Sequence, residues 1–293
     1  MRAFVIGNAA LDETILVAAL PTPGASVHGT ALSRDLGGKG ANQAIVLARA
    51  GIRCRLVAAV GDDARASEIA ALLAREPVVT RLLVQAGIAS DRSLILMARG
   101  GENVVVTTNA AAEALDPAQA LAAMADASRR DLVVVQGNLS GETTTAVLRD
   151  ARARGMRTAV NPSPLRGFFS GLWPLIDVLF VNEGEADALA GPAGLLRAGV
   201  AQVVITRGAA GAVLSGAGAS VAVPAHLCDV VDTTGAGDCF MATALASMLL
   251  RGTELDAAAL AHGARAAGVT VSRPGTVSAF PSRAELAAIL SAG

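Results

Sequence analysis

Short apolar segments rich in β-branched residues recur along the chain, and most are followed by a stretch with helical spacing. Buried strands are predicted at Phe4–Gly7, Arg55–Val60, Leu132–Gln136, Thr158–Asn161, Val178–Asn182 and Val203–Thr206. Helices are predicted at Gly40–Ala50, Ala64–Arg75, Pro117–Ala127, Thr143–Arg154 and Glu183–Ala190. Several of the strands are apolar throughout instead of alternating, which is typical of parallel strands covered on both faces. The succession of strand and helix therefore predicts an α/β fold with a mostly parallel central sheet.

Two regions depart from this succession, because they contain strand-like pieces with no helix between them. The first, Leu11–Leu36, surrounds the turn Pro21-Thr22-Pro23-Gly24. The second, Ser93–Thr108, is interrupted by the turn Arg99-Gly100-Gly101-Glu102 and is typical of a β-hairpin. We predict that both regions form a small β element that projects from the main sheet, where it could cover a substrate or form a subunit contact.

Composition narrows the classes of protein that fit this pattern. Hydrophobic residues make up 53% of the chain and charged residues 17%, which is enough apolar material for a large core. A net charge of −1, the lack of a Lys/Arg run and an aromatic content of 2% argue against a nucleic-acid partner. No apolar run approaches the roughly 18 residues of a membrane span, and Met1–Gly7 fits a first strand better than a secretory signal.

The cysteines and histidines add no site of their own. The three cysteines are widely spaced and the three histidines do not cluster, so neither a disulfide framework nor a zinc site is indicated. No linker divides the sequence. We therefore expect a cytoplasmic enzyme with a single domain over residues 1–293.

The first candidate for chemistry is the segment Asp232-Thr233-Thr234-Gly235-Ala236-Gly237-Asp238. It follows a strand-like stretch at Leu227–Val231 and precedes an apolar helix. Its glycines therefore lie at a helix N-terminus, where free backbone N–H groups and the helix dipole attract an anion. A carboxylate at Asp238 would be repelled by a bound phosphate, which suits a base that takes a proton from an attacking hydroxyl. Asp is also a common helix cap, and this segment alone supports the two roles equally.

The second candidate is the cluster Leu36-Gly37-Gly38-Lys39-Gly40-Ala41-Asn42-Gln43-Ala44, which opens a helix. It is not a Walker A loop, because Gly40 rather than Ser or Thr follows Lys39, and it is not a dinucleotide-binding fingerprint. Asn42 and Gln43 lie in the first turn of an otherwise apolar helix. A flexible backbone with buried amides suits recognition of a polyol by hydrogen bonds. The alternative interpretation of this cluster is a flexible loop that precedes a helix and binds nothing.

Together, these two segments resemble the two signatures of the PfkB carbohydrate kinase family, most closely those of its ribokinases. Four landmarks extend the resemblance along the chain: Asp12 after the first strand, Asn182-Glu183-Gly184-Glu185, Thr206-Arg207-Gly208-Ala209-Ala210-Gly211, and His262. The resemblance implies a three-layer ribokinase-like fold, with helices on both faces of the sheet and a β-sheet lid from about residues 9–36 and 91–110. It also implies ATP and Mg²⁺ as cofactors, a small sugar as substrate and a homodimer formed through the lid.

The resemblance also implies a role for individual residues. Asp238 is expected to act as general base, with the backbone N–H groups of Gly235, Ala236 and Gly237 binding the transferred phosphate. The sugar is expected to contact Asp12, Gly38, Lys39, Gly40, Asn42, Asn138 and Asp238. ATP is expected to contact Asn182, Thr206, Gly208, Gly211, Gly237 and His262. Mg²⁺ is expected near Glu185, through water, and a monovalent cation such as K⁺ near Asp232, Thr234 and Gly275.

Two of these assignments have a structural alternative. Asn182 and Glu185 also fit the start of a helix, with the amide as cap and the carboxylate in the first turn. A lone histidine in an apolar helix, such as His262, is more often part of the core.

Three positions depart from the ribokinase pattern. Ala10 stands where ribokinases carry an asparagine, and Asn138 near where they carry a glutamate, and both positions normally contact the sugar. Ala279 stands near a side-chain ligand of the monovalent cation. The segment Gly38–Asn42 favours ribose or a related pentose, and the alternatives within the family are a nucleoside kinase, a fructokinase or a ketodeoxygluconate kinase.

Two hypotheses from other classes fit the sequence less well. A catalytically silent sugar-binding regulator would not need Asp238 and its glycine-rich loop, which are both intact. A Rossmann-type dehydrogenase would carry a nucleotide fingerprint after its first strand, where Gly7-Asn8-Ala9-Ala10 stands instead.

Overall fold

The structure, a computed structural model, describes residues 1–99, 102–216 and 219–292. Its strands are β1 (Arg2–Ile6), β2 (Ala10–Val17), β3 (Gly29–Gly37), β4 (Arg53–Gly61), β5 (Val79–Gln85), β6 (Arg92–Ala98), β7 (Asn103–Thr107), β8 (Leu132–Gln136), β9 (Arg157–Asn161), β10 (Val178–Asn182), β11 (Gln202–Thr206), β12 (Ala212–Gly216) and β13 (Ala219–Val223). Its α-helices are α1 (Lys39–Arg49), α2 (Ala64–Leu73), α3 (Ala110–Glu113), α4 (Pro117–Ala123), α5 (Gly141–Ala153), α6 (Glu183–Ala188), α7 (Gly191–Arg197), α8 (Ala236–Arg251), α9 (Ala257–Val271) and α10 (Arg283–Ser291). The buried strands and the helices predicted from hydrophobic spacing are present, with ends shifted by a few residues.

The central sheet has the strand order β13-β12-β11-β10-β9-β8-β1-β4-β5. From β11 to β5 neighbouring strands are parallel, while β12 and β13 are antiparallel additions at one edge. Successive side chains of a strand point to opposite faces. In β1, Ala3 and Val5 enter one core, which α1, α8 and α9 cover, and Phe4 and Ile6 enter the other, which α4, α5 and α7 cover. The predicted parallel sheet with helices on both faces is confirmed.

A second, smaller sheet has the strand order β3-β2-β6-β7. The pairs β2–β3 and β6–β7 are antiparallel, and β2 pairs with β6 in parallel. Its strands come from the two regions that interrupt the strand–helix succession, as predicted. Of the turn predicted between β6 and β7, Gly100 and Gly101 lie outside the described residues.

One predicted strand is wrong. Leu227–Val231 has irregular backbone, and Leu227, Val230 and Val231 are 92%, 67% and 58% exposed. The apolar run follows β13, which already forms the edge of the sheet. Leu227, Cys228 and Val230 line a cavity instead of pairing with a neighbouring strand.

The carboxyl ends of the parallel strands lie along one edge of the central sheet, where ligands bind in open α/β sheets. Helices α1 and α8 begin beside this edge, and their first turns are joined by a hydrogen bond between Asn42 and Asp238. The fold therefore brings the two glycine clusters together although they are far apart in sequence. In the described ranges, no helix is both long enough and apolar enough to cross a membrane.

Candidate active site

Helix α8 begins within the glycine-rich segment, as predicted. Gly235 precedes the helix with a φ of 74°, in the left-handed region that favours glycine. The first helical hydrogen bond joins the Cys239 N–H to the Gly235 carbonyl, so the N–H groups before Cys239 have no helical acceptor. The Ala236 N–H instead donates to the Thr233 carbonyl at 3.3 Å. One of the three N–H groups predicted to bind phosphate is therefore engaged in a turn.

Asp238 is 6% exposed, and two amides from the start of α1 hold its carboxylate. Asn42 Nδ2 donates to Oδ2 at 2.9 Å, and Gln43 Nε2 donates to Oδ1 at 2.8 Å. The N-cap of α8 is Gly235, and Asp238 lies inside the first turn. Asp238 therefore does not cap the helix, and the carboxylate retains lone pairs for a further donor.

A third amide continues this contact. Gln136 Nε2 donates to Gln43 Oε1 at 2.7 Å, and Gln136, the last residue of β8, is fully buried. Gln136 is absent from the residues predicted from sequence. The signal that could have found it is a polar residue at the end of an otherwise apolar strand.

Asp12 lies in β2 and is 6% exposed. Its Oδ2 accepts a hydrogen bond from Thr276 Oγ1 at 3.0 Å. Burial raises the pKa of Asp12, and hydrogen bonding from Ser93 and Thr276 offsets part of that effect. Gly37 on the neighbouring strand provides the space, because a Cβ there would lie 2.1 Å from the Asp12 carboxylate.

Three predicted sugar contacts share one property: a buried oxygen acceptor without a partner among the described residues. These oxygens are Asp12 Oδ1, Asn42 Oδ1 and Asn138 Oδ1. Asn42 contacts Asp238, and Asn138 follows Gln136 by two residues at the end of β8. A buried acceptor without a donor costs about 1–3 kcal/mol. Three such oxygens, one of them on a residue that contacts Asp238, indicate a ligand that donates several hydrogen bonds.

The start of α1 lies against the loop after β1. Asn8 Oδ1 accepts the Gly40 N–H at 3.2 Å, and a Cβ on Gly40 would come within 2.7 Å of the Asn8 backbone. Gly38 has a φ of 91° and its Cβ would lie 3.0 Å from Ala10 N, so glycine is required at both positions. Lys39 is the first residue of α1 and the only lysine of the chain.

A cavity of about 310 Å³ opens beside the start of α8. Thr206, Gly208, Gly211 and Gly237, which are predicted ATP contacts, line it. Apolar residues of α8, α9 and the segment Ala225–Val230 form the rest of the wall. Ligand pockets typically have volumes of about 300–1,000 Å³. The apolar wall suits a nucleotide base, and Gly237 brings the α8 N-terminus to its edge.

The histidine at this cavity is His226, not His262. His262 is 5% exposed, and its ring nitrogens meet Ser247 Oγ at 2.8 Å and the Ala292 carbonyl at 2.9 Å. It therefore lies in the core, as the structural alternative stated. His226 packs against Gly268 of α9, where a Cβ would approach its ring to 2.7 Å. His226 lies in irregular backbone, so no hydrophobic period marks it.

Asn182 and Glu185 form the start of α6. Asn182 Oδ1 accepts the Glu185 N–H at 2.8 Å, and the Asn182 N–H donates to Glu185 Oε2 at 3.0 Å. This capping box confirms the structural alternative and leaves Glu185 Oε1 available. One carboxylate and one amide fit a hard cation only if water and phosphate oxygens complete its shell. In the described part of the chain, no group of three or more His, Cys, Asp or Glu residues could hold a metal ion.

The residues predicted for a monovalent cation meet at Asp232. Asp232 Oδ1 accepts the Thr234 N–H at 2.9 Å and Oδ2 accepts the Gly275 N–H at 3.1 Å. Asp35 of β3, which the sequence did not single out, accepts the N–H groups of Thr276 and Ser278 at 3.2 and 3.0 Å. The loop 275–278 is thus tied to the glycine-rich segment on one side and to the second sheet on the other.

Comparison with known proteins agrees with this geometry. The family described as pfkB family carbohydrate kinase matches residues 2–283. The ribokinase of Bacillus subtilis is 31% identical over 290 residues, and the match covers 98% of both chains. The solved ribokinase of Thermotoga maritima superposes with a TM-score of 0.88 at 25% identity and 99% coverage of both chains. The ribokinase of Cryptococcus neoformans, solved in complex with ADP, gives a TM-score of 0.83 at 27% identity, covering 98% of this chain and 99% of that one. The chain therefore belongs to the PfkB family of carbohydrate kinases and has the ribokinase-like fold.

Proposed function

We propose that this chain transfers the γ-phosphate of ATP to a hydroxyl of ribose or a related pentose. The observation that carries the proposal is the set of buried acceptor oxygens on Asp12, Asn42 and Asn138 that no donor among the described residues satisfies. A polyol supplies the missing donors through its hydroxyl groups. Asn42 also donates to the buried carboxylate of Asp238, so a sugar bound to Asn42 would bring a hydroxyl next to a base.

Asp238 is the general base of the proposed reaction. Two neutral amides fix its oxygens and leave lone pairs open. It takes the proton of the attacking hydroxyl as that oxygen forms a bond to the γ-phosphorus. The bond between the γ-phosphorus and the bridging oxygen breaks, and ADP leaves with the electron pair.

The start of α8 stabilises the charge that develops on the transferred group. The N–H groups of Gly235 and Gly237 point from a helix N-terminus, where the dipole favours an anion. The Ala236 N–H joins them once its 3.3 Å turn bond is released. Lys39, Gly38 and Gly40 at the start of α1 complete the sugar side, and Lys39 adds a positive charge there.

The nucleotide occupies the cavity lined by Thr206, Gly208, Gly211 and Gly237. A relative of 27% identity was solved with ADP, which supports a nucleotide ligand for this fold. Mg²⁺, when bound, neutralises charge on the phosphates, and Asn182 and Glu185 would hold it through water. The oxygens that Asn182 and Glu185 expose at the start of α6 fit that role only together with phosphate ligands.

The preference for a pentose rests on the names of the relatives and on Gly38–Asn42. Ala10 removes an amide that ribokinases direct at the sugar, and Asn138 replaces a carboxylate with a neutral amide. Both differences lie on the sugar side, so they change which hydroxyl pattern is bound and leave phosphoryl transfer intact.

A coupled ADP-release screen tests the proposal. The panel is pentoses, hexoses, sugar alcohols and nucleosides, each with and without K⁺, and Asp238→Asn is the inactive reference. We expect turnover with a pentose and a kcat that is about 10²- to 10⁴-fold lower in Asp238→Asn, with an unchanged melting temperature. Stimulation by K⁺ would support a cation near Asp232, Thr234 and Gly275.

Each other outcome of the screen removes one part of the proposal. Near-normal kcat in Asp238→Asn would show that the base assignment is wrong. Turnover with hexoses or nucleosides but not with pentoses would show that the proposed substrate class is wrong. Binding of a sugar without ADP release would favour the silent regulator.

The second sheet is the proposed lid and the proposed contact of a homodimer. In β7, Val104, Val105 and Val106 are 45%, 53% and 62% exposed, and exposed apolar edge strands are typical pairing surfaces. We expect sedimentation to give a dimer for the wild type and a monomer for Val105→Asp. A monomeric wild type would overturn this part alone.

A further inference from the structure

Two buried glutamines and Asp238 form one hydrogen-bonded line across the core. Gln136 Nε2 donates to Gln43 Oε1 at 2.7 Å, and Gln43 Nε2 donates to Asp238 Oδ1 at 2.8 Å. Gln136 and Gln43 are 0% and 1% exposed. Gln136 ends β8, Gln43 is the fifth residue of α1, and Asp238 lies in the first turn of α8. The line therefore connects the central sheet with both helices of the site.

The line has only one satisfactory direction. A side-chain amide donates through nitrogen and accepts through oxygen. If Gln43 were reversed, its carbonyl oxygen would face the Asp238 carboxylate and its NH₂ group would face the NH₂ group of Gln136. Both contacts are repulsive, and burial strengthens the repulsion. Gln136 and the Asp238 carboxylate thus both favour the orientation in which Gln43 presents a donor to Asp238.

Packing does not account for the amide of Gln136. Its Oε1 is buried and has no partner among the described residues, which destabilises a fold. Gly7 leaves the space for this oxygen, because a Cβ on residue 7 would lie 2.0 Å from it. An apolar side chain of similar size would fill the same space without an unpaired oxygen.

We propose that Gln136 is a positioning residue for phosphoryl transfer, acting through Gln43 to fix the orientation of the Asp238 carboxylate. This inference rests on the proposed role of Asp238 as general base. Asn42 holds the other carboxylate oxygen and has an acceptor left for the sugar. Holding a base in line with the attacking hydroxyl lowers the barrier by removing misaligned states. This line of hydrogen bonds from Gln136 through Gln43 to Asp238, called the relay from here on, therefore affects the chemical step and not the binding of either substrate.

The test is a double-mutant cycle on kcat with Gln43→Met, Gln136→Met and the double variant. Met retains most of the volume of Gln and removes the amide. We expect each single variant to lower kcat by about 10- to 100-fold, the effect of one hydrogen bond to a charged group, while KM for sugar and ATP stays near the wild-type value. Because Gln136 acts through Gln43, the double variant should be no slower than Gln43→Met alone. If the loss of kcat in the double variant equals the product of the two single losses, the variants have two separate packing defects and the relay is overturned.

Gln119→Met is the matched control, because it removes an amide from the exposed Gln85–Gln119 pair, whose atoms are 3.3 Å apart. It should keep wild-type kcat. Gln136→Met should melt at or above the wild-type temperature, since it removes the unpaired oxygen. A purely structural role for Gln136 predicts a lower melting temperature with unchanged kcat, and that result would also overturn the proposal.

Gln136→Glu answers the same question if Gln136→Met does not fold. Glu has the shape of Gln but offers no donor, so it draws the Gln43 NH₂ group toward position 136 and away from Asp238. The relay predicts a loss of kcat, whereas a packing role predicts wild-type kcat. Asp238→Asn separates the two proposals: if it is inactive while the glutamine variants have wild-type kcat, only the relay fails. If Asp238→Asn is active, the proposed base fails and the relay with it.

Discussion

The proposed nucleotide side and the proposed sugar side of the candidate site are built from different chemical groups. On the nucleotide side, glycine backbone and an apolar wall enclose a cavity of about 310 Å³. On the sugar side, buried oxygens of Asp12, Asn42 and Asn138 have no donor among the described residues. A surface of backbone and apolar groups selects by shape, and one extra or missing group there has a moderate effect. A buried polar atom selects by chemistry, because a ligand without the matching hydroxyl leaves it unpaired.

This difference explains where specificity resides. The nucleotide side can serve any kinase of the family that uses the same phosphoryl donor. The sugar side carries both departures from the ribokinase pattern that are expected to contact substrate, Ala10 and Asn138. Substitutions on the two sides should therefore separate into effects on ATP and effects on the sugar.

The largest expected difference between the effect on the sugar and the effect on ATP is for Asp12→Asn. Asparagine can still accept from Thr276, but it replaces the unpaired carboxylate oxygen with an NH₂ group or a neutral carbonyl. We expect kcat/KM for the sugar to fall by about 100-fold, as for loss of a charge-assisted hydrogen bond, while KM for ATP stays near wild type. Initial rates with each substrate varied in turn measure this, and Asp62→Asn, at an exposed aspartate, is the control. An equal rise in both KM values would contradict the division of the site into two sides.

The sequence predicted the central fold because apolar strands and amphipathic helices carry strong local signals. It also singled out Asp238, and the family resemblance favoured a base over a helix cap. The start of α8 at Gly235 places Asp238 inside the first turn, so Asp238 is not the N-cap. The run Leu227–Val231 has the composition of a strand, but its environment is a cavity at the edge of the sheet.

Contacts between distant residues were beyond sequence reasoning. Gln136 and Gln43 are 93 positions apart, and only the fold brings their amides within 2.7 Å. His262 was named from the family resemblance, whereas His226 lies in irregular backbone without a pattern. In each case the missing information is tertiary.

A smaller effect, on the nucleotide side of the site, is expected for Gly268→Ala. A Cβ there would lie 2.7 Å from His226 Cδ2, so the ring must shift at the wall of the nucleotide cavity. Alanine is favourable in a helix, so α9 should remain intact. Overpacking of about 1–3 kcal/mol would raise KM for ATP by about tenfold and leave KM for the sugar unchanged. Gly167→Ala, where a Cβ meets open space, should behave as wild type. A change in the sugar KM without a change for ATP would remove His226 from the nucleotide side.

Asn138→Ala should have a still smaller effect, since it removes a neutral acceptor. We expect kcat/KM for the preferred sugar to fall by about three- to tenfold. The same variant tested on monodeoxy analogues identifies the partner, because the loss should vanish for the analogue that lacks the hydroxyl bound by Asn138. An equal loss for every analogue would show that Asn138 acts through packing and does not select a hydroxyl.

The smallest effect concerns stability and separates the charge of Asp12 from its shape. Burial raises the pKa of Asp12 above its ordinary value of 3.8, so the folded state disfavours the ionised carboxylate. As pH rises above the ordinary value the unfolded chain ionises first, and stability is lost until the folded group is ionised as well. The cost is therefore complete at neutral pH and absent at low pH. Asparagine is neutral throughout this range.

Asp12→Asn should accordingly melt above the wild type at pH 7, and the difference should vanish at about pH 2.5, more than one unit below the ordinary pKa, where both states of the wild type are largely protonated. Thermal unfolding of both proteins across this range, with Asp62→Asn alongside, measures the effect. An increase in melting temperature of equal size at neutral pH and at low pH would mean that the shape of the side chain, and not its charge, is responsible. A gain at neutral pH together with weaker sugar kinetics would show that the carboxylate is kept at the expense of stability because it binds substrate. A carboxylate that only stabilised the fold would give the opposite results: Asp12→Asn would melt below the wild type at neutral pH, and its sugar kinetics would be unchanged.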